Sequence, residues 1–60
     1  MALFLVIGEM TDRKTGEVKK SNVLEITAAD TVAAKIQARD LLRSNYPGCK
    51  GIKIKSCQKG

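Results

Sequence analysis

Histidine and tryptophan are absent from this sequence, the only aromatic side chains are Phe4 and Tyr46, and Pro47 is the only proline. Without histidine, no side chain titrates near neutrality in its unperturbed state, so the usual general base is missing. Ser21, Ser44 and Ser56 stand in no triad context, and the six carboxylates are scattered with no pair at a spacing suited to acid–base work. Lys14-Thr15-Gly16 lacks the upstream glycines and the strand-to-helix setting of a phosphate-binding loop. The chain is not expected to be an enzyme, and neither a cofactor nor a small-molecule substrate is expected.

Cysteine is scarce too. Cys49 and Cys57, with no histidine beside them, fall short of a four-ligand zinc site. If Cys57 ends a strand that begins near Gly51, an extended separation of roughly 26 Å parts the two thiols, whereas a disulfide needs Cα atoms within about 7 Å. Cys49 beside Lys50 has no base to make it a nucleophile. Free thiols fit a reducing cytosol. The longest apolar run, residues 2–7, is far too short to cross a bilayer, follows no basic residue and lacks a small-residue cleavage pattern. A cytoplasmic protein with no membrane partner is the expectation.

No linker, repeat or low-complexity segment divides the chain, so residues 1–60 read as one small domain. A domain this short buries only about 60% of its unfolded surface, and its core supplies roughly 3–5 kcal/mol. With a disulfide and zinc set aside, a second subunit is the remaining way to reinforce it. Eleven Lys and Arg against six Asp and Glu give a net charge of +5. Such an excess attracts polyanions, although it also serves solubility.

What is present is a pattern of elements. The apolar run predicts a first strand over 3–10 whose side chains are apolar on both faces, as in a central strand. The expectation is that Leu3, Leu5 and Ile7 face a helix and that Phe4 and Val6 face the other way. Residues 11–17 carry turn chemistry, with Gly16 available for positive φ. A second strand follows over 18–27, with Leu24 and Ile26 on its apolar face. Thr27 or Asp30 can cap a helix that runs to about Arg43 and stops before Pro47. Ala34, Ala38, Leu41 and Leu42 share one helix face and are assigned to the sheet. Ile52 and Ile54 alternate with Lys53 and Lys55 in a last strand over 51–57, and the remaining tail is expected to fray. The fold class is therefore α+β, β-β-α-β, with a three-stranded antiparallel sheet of order 2-1-3 and one helix on one face.

Three surfaces are candidates for function. The first is the sheet face opposite the helix, where Phe4 and Val6 would lie between Val23 and Glu25 on one side and Lys53 and Lys55 on the other. A ring flanked by lysines is how single-strand-binding sheets stack bases and hold phosphates. The second is a helix stripe of Lys35, Arg39 and Arg43 with Val32 and Ile36 beside it. The third is the hairpin, with Arg13, Lys14, Lys19 and Lys20; Lys50 and Lys59 extend the basic character into the tail. The leading expectation is a non-enzymatic basic protein that docks nucleic acid through Phe4, Val6, Arg13, Lys14, Lys19, Lys20, Lys53 and Lys55. The rival is a protein-interaction module, either with an acidic partner or as a homodimer through Phe4, Val6, Val23, Val32 and Ile36, in which the charge is for solubility.

Overall fold

The computed structural model describes residues 1–60. It contains β1 (Ala2–Asp12), β2 (Val18–Lys20), β3 (Leu24–Ala28), α1 (Thr31–Asn45) and β4 (Cys49–Lys59). The sheet is antiparallel and β1 is its centre. β4 pairs along one whole edge of β1, from Phe4↔Lys59 to Asp12↔Cys49. β2 and β3 share the other edge, at Glu9–Thr11 and Ala2–Val6 respectively. The expected second strand is thus present but broken in two, and the α+β class and strand order are as the sequence predicts.

The break has a local cause. At 21–23 the edge gains one residue relative to β1, and Ser21 replaces the missing ladder. Its hydroxyl accepts from the Gly8 N–H at 2.9 Å while its own N–H donates to the Gly8 carbonyl at 2.8 Å. The β1–β2 turn is held by Asp12, whose carboxylate accepts from the N–H groups of Lys14 (2.7 Å) and Thr15 (3.2 Å). Gly16 takes φ 75°, where a side chain would be strained.

Asp30 is the N-cap of α1, its carboxylate accepting from the Ala33 N–H at 2.8 Å. At the other end the Tyr46 N–H donates to the Leu42 carbonyl, and Pro47 follows. Ala34, Ala38 and Leu42 are the buried row of the helix. Two alanines in that row let α1 lie close across β1, β3 and β4. They pack with Phe4, Val6, Ile26 and Ala28, and Ile54, Leu24 and Cys57 close the edges.

Here the structure corrects the sequence reading. Phe4 and Val6 are 5% and 0% exposed and face the helix, whereas Leu3, Leu5 and Ile7 lie on the uncovered face. The reason lies further along β1. Glu9 and Thr11 share the parity of Leu3, Leu5 and Ile7, while Gly8 and Met10 share that of Phe4 and Val6. Sending Glu9 into the core would bury an unpaired carboxylate. Gly8 on the inner face instead leaves room for Leu42: a Cβ there would run into Leu42 Cδ1. Two smaller corrections follow. Leu41 is 40% exposed, because the buried row is centred on Ala38. The tail is not frayed: β4 reaches Lys59, and the Gly60 N–H donates to the Leu3 carbonyl at 2.8 Å.

Candidate polyanion-binding cleft

β4 carries two irregularities against β1. Ile7 and Gly8 pair with Ser56 and Ile54, so Lys55 is the extra residue; Glu9 and Thr11 pair with Lys53 and Lys50, so Gly51 and Ile52 together oppose Met10. Gly51 has φ 60°, the left-handed conformation that a glycine bulge requires. Such bulges bend a strand and re-aim its side chains. This one lies where β4 passes the C-terminal end of α1.

A cleft of about 200 Å³ opens there, lined by Arg13, Arg43, Cys49, Lys50, Gly51 and Ile52. Three elements supply its three cations. Arg13 follows the end of β1, and its backbone N–H donates to the Gly48 carbonyl at 3.0 Å. Its Nε–H also donates, at 3.4 Å, to the carbonyl of Cys49. Arg43 comes from the last turn of α1, and Lys50 from β4 just before the bulge. No carboxylate lines the cleft. The nearest competitor on the helix is Asp40, 3.9 Å from Arg43, with both side chains about 70% exposed. An exposed pair of that length holds Arg43 only weakly. The Cys49 thiol is free.

The sequence candidates separate into distinct places. Arg13 from the hairpin and Arg43 from the helix stripe meet at the cleft, and Lys50, which the sequence placed only in a basic tail, joins them. Lys19 turns to Asp12, its ammonium 3.7 Å from the carboxylate. That carboxyl is held below the ordinary range, first by the N–H groups of Lys14 and Thr15 and then by Lys19. Lys20 and Lys53 flank Glu9 in register on the uncovered sheet face. Lys55 stands out at its bulge. Val32 and Ile36 are 65% and 53% exposed, away from the core, alongside Lys35 and Arg39. Phe4 and Val6, buried, can meet no ligand, so the stacking platform is withdrawn.

What sequence reasoning missed was the convergence. Its available signal was Gly51 between Lys50 and an alternating strand, since a glycine inside a strand pattern marks a bulge. Chemically, two guanidiniums and an ammonium around an open cleft suit phosphate or carboxylate oxygens, with Arg offering paired donors. No group of three His, Cys, Asp or Glu side chains gathers to hold a metal. No helix is long and apolar enough to cross a membrane. No protein-family model, curated protein or solved structure matches the chain, so its functional reading rests on this geometry.

Proposed function

We propose that this chain is a small, non-enzymatic protein that binds the phosphate backbone of nucleic acid through the basic end of its sheet. The single observation that supports the reading is the meeting of Arg13, Arg43 and Lys50 around one cleft with no carboxylate in its lining. Lys14 follows Arg13 in the chain, and the chain as a whole is +5. Charges of one sign around a concave site concentrate the field there. The ring that would have stacked on bases is buried, so recognition is by phosphate and insensitive to sequence.

Binding of fluorescent mixed-sequence oligonucleotides, single-stranded and duplex, tests this by anisotropy across a salt series. Three phosphate contacts give a slope of log K against log salt of about −2 to −3. Single-stranded and duplex probes should differ little, because no stacking surface favours the open strand. No binding at low salt, or binding indifferent to salt, would contradict the proposal.

A further inference from the structure

The sheet face turned away from α1 is uncovered along its whole length. Its central column is Leu3, Leu5, Ile7, Glu9 and Thr11, and side chains paired across antiparallel strands share a face. Leu3 therefore lies beside Thr27, Leu5 between Glu25 and Gln58, Ile7 beside Ser56, and Glu9 between Lys20 and Lys53. Apolar side chains sit at one half of the face, and its acid, Glu25, lies beside them. The other half carries Lys20 and Lys53 around Glu9, then Val18 and Lys50 around Thr11.

The molecule exposes 4109 Å², against about 3,800 Å² for a compact monomer of this mass. Only nine of its sixty residues are buried. The flat outline of a three-stranded face eleven residues long is about 500 Å². Covering it on two molecules buries on the order of 1,000–1,200 Å², the lower end of what a specific dimer needs.

We infer that this face is a homodimer interface, in which two copies stack their sheets with strands antiparallel about a twofold axis crossing β1 near Ile7. The charge pattern selects this arrangement. An axis in the interface plane and perpendicular to the strands keeps each edge over its counterpart and reverses position along it. The Leu5 row of one copy then covers the Glu9 row of the other. Glu25 meets the second copy's Lys20, the reciprocal pair forms by symmetry, Gln58 meets Lys53, and Ile7 meets Ile7. Glu9 keeps its own Lys20 and Lys53 neighbours. An axis along the strands would instead set Lys20 over Lys53 twice, a like-charge contact that association disfavours. Of the cations lining the Arg13–Arg43–Lys50 cleft, only Lys50 also borders this face, at its end beside Thr11, and neither Glu25 nor Lys20 lines the cleft, so the two charges that the dimer pairs can be varied without touching the nucleic-acid site.

Sedimentation velocity of the full chain from low micromolar to low millimolar concentration, without nucleic acid, tests the inference. The wild type is expected to pass from monomer to dimer. Glu25→Lys and Lys20→Glu, both at exposed positions, should each weaken association about tenfold or more, with circular dichroism unchanged. The double variant, which swaps the two charges, should recover the dimer. A wild type that stays monomeric throughout would overturn the inference, as would single variants that dimerise like the wild type or a double variant that fails to recover.

Discussion

Asp12 shows how one side chain can hold a turn and report on it. Its carboxylate accepts two backbone N–H groups and lies beside Lys19, so its pKa is lowered on folding. A lowered carboxyl contributes stability above its unfolded value, near pH 4, and loses it as pH falls through the folded value. Asp12→Asn should therefore flatten the acid limb of the stability curve, read as urea midpoint against pH, and leave its shape near neutrality unchanged. An acid limb as steep as the wild type's would contradict this role. Gly8 is decided by space rather than charge. A methyl there meets Leu42 and lies 3.3 Å from the Lys53 carbonyl. Gly8→Ala should cost about 1–3 kcal/mol by overpacking, and Leu42→Ala, at a fully buried site, about 2–5 kcal/mol. In a domain with so small a core either change should shift chemical denaturation plainly, and Leu42→Ala is expected to leave much of the chain unfolded.

At the scale of elements, the helix and the order of strands were legible because their signals are local: a cap at Asp30, alanines four apart, a proline after the last turn. Asp30→Ala should lower stability by about 1 kcal/mol without altering the fold, measurable by thermal or urea unfolding. The facing of β1 was harder to read. Over residues 2–7 both faces are apolar, so the run itself holds no parity information, and a one-residue change of parity moves every side chain to the other face. The deciding residues are Gly8, Glu9 and Met10, just beyond the run. The break between β2 and β3 was equally hidden, because it depends on Ser21 meeting Gly8 thirteen residues away.

At the scale of the molecule, the chain is elongated, 38 × 16 × 14 Å with a radius of gyration of 11.4 Å, against about 10.4 Å for a compact domain of this length. Length separates its surfaces: an apolar half-face at one end of the sheet, and a basic cleft at the other end on the helix side. The sequence displayed the cations but not their grouping, since Arg13, Arg43 and Lys50 come from three elements and meet only because a glycine bulge turns β4 beside the end of α1. Other cations, such as Lys35, Arg39 and Lys59, are exposed and do not line the cleft. That contrast isolates the central claim. The most direct test compares oligonucleotide binding across a salt series for the wild type, an Arg13/Arg43/Lys50 triple alanine variant and a Lys35/Arg39/Lys59 triple alanine variant, which lose equal charge. The cleft account predicts that the first variant loses most of its affinity and about two to three units of salt slope, while the second keeps a near wild-type slope. Equal losses in both variants would mean that net charge alone drives binding and would contradict a localised site.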